Sequence, residues 1–441
     1  MNSNSSQRCL LSQNLHAVVL SRSRRLAFLF TICVLLICSP KVLAAELSEQ
    51  DSSVKVSGFG TFGVSYNSSG EFDYLRDLLQ TRGVGYSRRL DIGLDSLVGL
   101  QLSTKLSDSV ETTAQTVIRR REGNYRPELT WGFIKYYPND EWDFRLGRLG
   151  FDVYPLADSR NVAYSYVWVR PPVEYFGGLI VSYIDGVDAV YQYSVGNGQA
   201  KAKLFAGKAQ ERLLAASPDT YFSLKNSKII GAQLEFQSQN WLARIGLAEL
   251  QFNHQYPGIQ GLIDTLRSPM FSQLSPAASG LAENLSFKDK KIRYLSAGLV
   301  YDNGPLQAQL MLSRLNSQTL SFNSNVAGFF TIAYRVKEWT PYFTYAKTRP
   351  SGNKNIVTGL PLTTSPMVDQ IEAGIQSFLK ATRNEQHSQS IGLRYSLNHT
   401  SDIKIQVDMI SNKERLIVRQ ARAGWNGKGT IISCNYNFIF N

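Results

Sequence analysis

Beyond residue 44 the chain offers three imidazoles, His254, His387 and His399, and one thiol, Cys434. A zinc site needs three or four such ligands drawn together, and these are scattered over connections and one final segment, so no metal is expected. No H-E-x-x-H, G-x-S-x-G or G-K-[ST] pattern occurs, and nucleophilic catalysis needs a base within reach of its nucleophile. Gly58-Phe59-Gly60-Thr61-Phe62-Gly63 is a literal G-x-G-x-x-G. A dinucleotide fingerprint needs those glycines to follow a strand and open a helix. Here they lie inside an alternating run, with Val54 and Val56 before and Val64 and Tyr66 after, where glycine relieves crowding in a strand. No catalytic residue and no cofactor is therefore assigned.

The elements around these residues are strands. Period-2 alternation recurs from end to end, and no long 3.6-period segment competes with it. Leu94, Val98, Leu100, Leu102 and Leu106 alternate with Asp95, Gln101, Ser103 and Lys105. Val187, Ala189, Tyr191 and Tyr193 repeat the theme, as do Ile230, Ala232, Leu234 and Phe236, and then Ile403, Ile405, Val407 and Met409. Very short polar turns fall at residues 107–109, 138–140, 196–198, 238–240, 302–304, 337–338 and 398–401. Longer connections lie between them: 67–89, 148–186, 254–291 and 349–387. Strict alternation of short and long connections is what an up-and-down membrane barrel with tight periplasmic turns requires, and a soluble sandwich has no reason to sort its loops. One strand on each side of every short turn, plus a first from Val54 and a last from Gly429, predicts about sixteen.

The N-terminus points to export. Arg22, Arg24 and Arg25 precede an apolar run from Leu26 to Cys38, and Val42-Leu43-Ala44 supplies small residues for cleavage. The run is too short for a spanning helix, so residues 1–44 read as a signal peptide and residues 45–441 as the barrel. The stretch before Arg22 is long for such a signal and suggests a start downstream of Met1. Cleavage removes five cations and no acid, taking the formal charge from +12 to +7. That modest surplus gives no argument for nucleic acid, which an exported protein does not meet. Cys9, Cys33 and Cys38 leave with the signal, so no internal disulfide can hold the mature chain. No plug-sized segment stands between the signal and Val54, which argues against an energy-coupled transporter.

Trp142, Trp241 and Trp339 each stand just after a short turn. An indole, apolar with one N–H donor, settles where lipid tails meet headgroups, so these three predict an interfacial girdle on one side. The last segment sets Ile432, Cys434, Tyr436, Phe438 and Phe440 against Ser433, Asn435 and Asn437. Cys434 is expected to be a small lipid-facing hydrophobe.

The final aromatics resemble the closing strand of bacterial porins, with Tyr436, Phe438 and Phe440 matching an assembly signal and Asn441 added after the last Phe. Val56-Ser57-Gly58-Phe59-Gly60 resembles a porin first strand. Asp95-Ser96-Leu97-Val98-Gly99, Arg126-Pro127-Glu128-Leu129 and Phe144-Arg145-Leu146-Gly147-Arg148 are similar to stretches of a Gram-negative porin family. The resemblance implies an all-β, sixteen-stranded transmembrane barrel, trimeric, assembled by the outer-membrane machinery, with its third outer loop folded inward as a constriction. The matching connection, 148–186, carries Arg148, Asp152, Asp158, Arg160, Arg170 and Glu174 among Tyr154, Tyr164, Tyr166 and Trp168. Mixed charges on a confined loop would set up a transverse field, and solvated on an outer loop they would select nothing. Arg145, between apolar Phe144 and Leu146, should face the lumen.

The expectation is a cell outer-membrane porin: a water-filled channel for small hydrophilic solutes and ions, lined by the polar half of each strand. Its partners would be lipid, lipopolysaccharide and the barrel-assembly machinery. The basic surplus predicts mild anion preference, unless those cations neutralise lipopolysaccharide phosphates instead. A substrate-specific channel for phosphate or an organic acid, and an outer-membrane barrel enzyme, are the alternatives.

Overall fold

The computed structural model describes residues 54–441 other than 122–123, 215–220, 353–356, 362–364 and 416–417, and the expected signal peptide lies outside the described residues. Long strands dominate. They are β1 (Val54–Asn67), β2 (Leu97–Ser107), β3 (Val110–Arg121), β4 (Asn124–Tyr136) and β5 (Trp142–Gly150). Next come β6 (Tyr183–Val195), β7 (Gly198–Ala209), β8 (Ser227–Gln237), β9 (Trp241–Gln251), β10 (Lys291–Asp302) and β11 (Leu306–Ser317). The last are β12 (Asn325–Tyr334), β13 (Trp339–Pro350), β14 (Asn384–Asn398), β15 (Ser401–Arg415) and β16 (Lys428–Phe440). Every strand pairs antiparallel with its sequence neighbours, and β1 pairs with both β2 and β16. The sixteen strands therefore close into a barrel. Closure leaves no edge, which is how backbone amides are satisfied without water.

Alternation decides which face is which. Leu204 is 67% exposed while its neighbour Phe205 is 6% exposed. Leu146, Leu234, Ile245, Leu312, Phe330 and Ile391 share the outward orientation, so the outside of the ring is a continuous apolar band. In water each such side chain would cost about 2 kcal/mol relative to burial, whereas in lipid the same surface is stabilised.

The seam between β1 and β16 explains the glycine motif. Gly58 lies opposite Phe440 and Gly60 opposite Phe438, and a Cβ on either glycine would strike the facing ring. The two phenylalanines fold across backbone that carries no side chain, a device that fixes register at an otherwise bare stretch of strand.

The short turns all lie at one end of the barrel. There Trp142 faces Tyr191, Trp241 faces Tyr301 and Trp339 faces Tyr395 across adjacent strands, with ring centroids 4.9, 4.6 and 4.4 Å apart. At the other end stand the long connections, carrying α1 (Val173–Phe176), α2 (Gln260–Leu266), α3 (Pro269–Leu274), α4 (Ala277–Leu285) and α5 (Pro366–Ala381). The expected strict sorting has an exception here. β3 and β4 stay paired, with one register shift between Gln115 and Thr116, until Arg121 faces Asn124, so only two residues join them at the loop end. The run Arg119-Arg120-Arg121 continues the strand, because Arg119 and Arg121 turn inward to Glu128 and Asp77.

A second difference concerns the interior. The lumen is not lined throughout by polar side chains. In the loop-end half, Leu149, Ile184, Ile229, Leu250, Ile292 and Leu315 point inward and are buried. The cause is that long connections fold into the barrel mouth and bury their own apolar residues against that wall.

Candidate channel interior

The connection from β5 to β6, residues 151–182, runs inside the barrel. Its first residues are stapled to the wall beyond β6. Asp152 receives Lys203 Nζ at 2.6 Å, and Arg244 Nη1 donates to the Tyr154 carbonyl at 2.8 Å. Ser296 Oγ donates to the Val153 carbonyl at 2.6 Å, and Gly246 has no Cβ where that same carbonyl passes. Arg160 closes the base of the loop by donating to Tyr154 Oη (3.1 Å) and the Ser182 carbonyl (2.9 Å). Arg119 reaches Asn161 from β3.

The middle of the loop crosses to the opposite wall. Tyr164 Oη donates to the His399 carbonyl in a short turn (2.8 Å), so the loop descends deep into the barrel. Lys404, fully buried, donates to the carbonyls of Ala163, Tyr166 and Trp168, which uses all three of its N–H donors. Trp168 Nε1 donates to Thr331 and Thr344 on β12 and β13, each at 3.0 Å. The Val169 peptide is held at both ends, its N–H by Gln406 and its carbonyl by Asn435.

Arg170 is the strongest anchor. It is 1% exposed and its guanidinium donates to Asp95, Asp408, Ser65 and Ser433. Burial alone would raise the Asp95 pKa, but Arg170, with Arg76 behind it, holds the carboxyl below its ordinary range. Glu174 lies four residues on, buried, accepting from Gln386 at 2.7 Å. Burial pushes its carboxyl up, against the hydrogen bond.

These contacts distribute the candidate constriction charges unevenly. Arg170 and Glu174 are buried in the contact between loop and wall. Asp152 is paired with Lys203 of the wall, Arg160 is held in the loop's own bonds, and Asp158 is exposed. Arg145 turns inward and forms a bidentate pair with Asp188, which also takes Lys203 at 3.0 Å. Arg148 stands three residues further along the strand and so on the outward face, paired with Asp185 and lying over the Tyr183 ring. The structure thus separates Arg148 from Arg145. Tyr436, Phe438 and Phe440 face outward on β16, away from the interior.

The charges that keep inward exposure sit on β3–β5. Arg119 and Glu128 pair at 2.8 Å with side chains 15% and 20% exposed, Arg121 stands beside them, and Lys135 pairs with Asp143 at 3.0 Å. Loop length carries no sign of this strip. The inward alternation of Arg119 and Arg121 was the signal that could have found it. No group of three or more potential metal ligands occurs among the described residues.

No family model and no curated protein matches the sequence. Solved structures do match in fold. The anion-selective porin from Comamonas acidovorans superposes with a TM-score of 0.51 at 11% identity, covering 88% of this chain and 99% of its own. Salmonella typhi OmpF in complex with daunomycin gives 0.51 at 10% identity, covering 88% and 97%. A loop-deletion mutant of OmpT, an outer membrane protein of Vibrio cholerae, gives 0.50 at 10% identity, covering 88% and 100%. With its closed antiparallel ring of sixteen strands, the chain has the sixteen-stranded barrel fold of the bacterial porins.

Proposed function

We propose that the chain is an outer-membrane channel through which small hydrophilic solutes and ions diffuse passively. The observation that carries this reading is the division of faces: apolar outside, charged and polar along the inner wall of β2–β5, with a loop pinned across the interior. Gln101, Ser103, Thr113 and Gln115 on β2 and β3 lead to Arg119, Arg121 and Glu128. The aqueous path runs between this wall and the loop, which narrows it. The outward cations Arg293, Arg314, Lys347 and Arg349 stand on β10–β13 above the apolar band, where lipopolysaccharide phosphates would meet them. The Trp–Tyr pairs at the turn end suit the opposite interface. Tyr436, Phe438 and Phe440 fit an assembly signal on the closing strand, and a homotrimer is part of the same proposal.

Purified protein in a planar bilayer tests the function. Stepwise conductance with a reversal potential indicating mild anion preference is expected. Correctly folded protein that leaves the bilayer silent, or that releases fatty acid or peptide in a hydrolysis assay, would overturn it.

A further inference from the structure

We propose that a cavity of about 640 Å³ on the loop-end side of the inward loop is a binding site for a small aromatic carboxylate, a reading that rests on the channel function and adds a preferred solute to it. Four separate connections bring rings to this one space: Phe222, Tyr256 with Phe287, Phe322, and Phe378 from α5. Phe222, Tyr256 and Phe287 stand 5.1 to 5.6 Å apart, and Phe378 lies 6.2 Å from Tyr256. Connections that only needed to bury their own apolar residues would close to crystal-like density. These instead surround a void of the size and lining typical of ligand pockets, aromatic with a few polar groups. A planar ring is the shape that edge-to-face and offset contacts with such a box favour.

The polar groups select the other half of the ligand. Lys380 and Lys413 line the cavity and are exposed, Lys413 at 70% with an ion pair to Glu385. The acid in the lining, Glu174, is buried and accepts from Gln386, and burial pushes its carboxyl up. Asn323 stands in the same wall with an Nδ2 donor that has no hydrogen-bond partner among the described residues. Two cations and a donor around an aromatic box fit a ring bearing one carboxylate. The floor is Tyr175 and Glu174 of the inward loop, so a solute entering from the loop end meets this site before the narrowest part of the path.

Calorimetric titration of the detergent-solubilised protein with benzoate tests the site, with acetate lacking the ring and benzyl alcohol lacking the charge. Saturable benzoate binding at least tenfold tighter than either comparator is expected. Lys380→Gln with Lys413→Gln should weaken benzoate about tenfold and leave benzyl alcohol unchanged, as loss of a charged hydrogen-bond partner does. Phe378→Leu, at a half-buried ring, should weaken both ring compounds. Benzoate that fails to saturate, binds no tighter than acetate, or ignores all three substitutions overturns the proposal. Bilayer currents separate the two readings. Steady conductance without benzoate binding removes this site and leaves the channel; saturable benzoate binding by a protein that never conducts supports the site and removes the channel.

Discussion

Replacing Arg170 with methionine tests whether the inward loop is held by charge. The guanidinium is 1% exposed and faces two carboxylates, Asp95 at 2.6 Å and Asp408 at 3.0 Å, themselves buried. Removing it strands both. Breaking a buried pair by deleting one partner costs about 3–5 kcal/mol, chiefly because the remaining charge is left uncompensated. Four kilocalories correspond to roughly a thousandfold change in the ratio of docked to released loop. Single-channel recording should then show large flickering in place of a steady level, and hydrogen exchange of residues 163–176 should accelerate. Adding Asp95→Asn and Asp408→Asn to the methionine variant removes the stranded charges and should restore much of the steadiness, which simple misfolding would not. A steady current and unchanged exchange in Arg170→Met would refute the anchoring argument.

Acid acts on the same anchor through Asp95. Its lowered pKa contributes stability that is complete above the ordinary value of 3.8 and is lost as pH falls through the lowered one, so protease access to the loop should rise only in strong acid, and release at pH 5 would contradict this. Gly60→Leu places a side chain against Phe438 at the seam and should reduce the yield of folded, heat-modifiable barrel, by several kilocalories if the ring cannot swing aside. Arg119→Gln with Arg121→Gln removes two inward, partly exposed cations and should move the reversal potential toward cation preference, while Arg148→Gln on the outer face should leave it unchanged.

Much of the barrel was legible because its code is local. Side-chain alternation specifies two faces at each strand, and the seven short turns carry polar residues that break it. The strand count, both terminal strands and the inward orientation of Arg145 follow from that code. What escaped was set by tertiary packing. The two-residue join between β3 and β4 is one such case, because Arg119, Arg120 and Arg121 continue the strand up to it. Ile229, Leu250 and Ile292 disobey the apolar-out rule because distant connections fold onto them. The loop charges could not be sorted in advance for the same reason. Whether Arg170 faces water or two carboxylates depends on Asp95 and Asp408, one 75 and one 238 residues away. Arg148 could have been separated from Arg145 by parity alone, since residues three apart on a strand face opposite ways.

The most direct test of a water path along β2–β5 is thiol modification of an open channel. In a Cys434→Ser background, Arg121→Cys and Lys135→Cys place a thiol on the inner wall, and Leu100→Cys places one on the outer band. A charged, water-soluble thiol reagent should lower the single-channel current in discrete steps for the two inner positions and leave Leu100→Cys untouched. Current unaffected at both inner positions, or lowered equally from the outer one, would contradict the account.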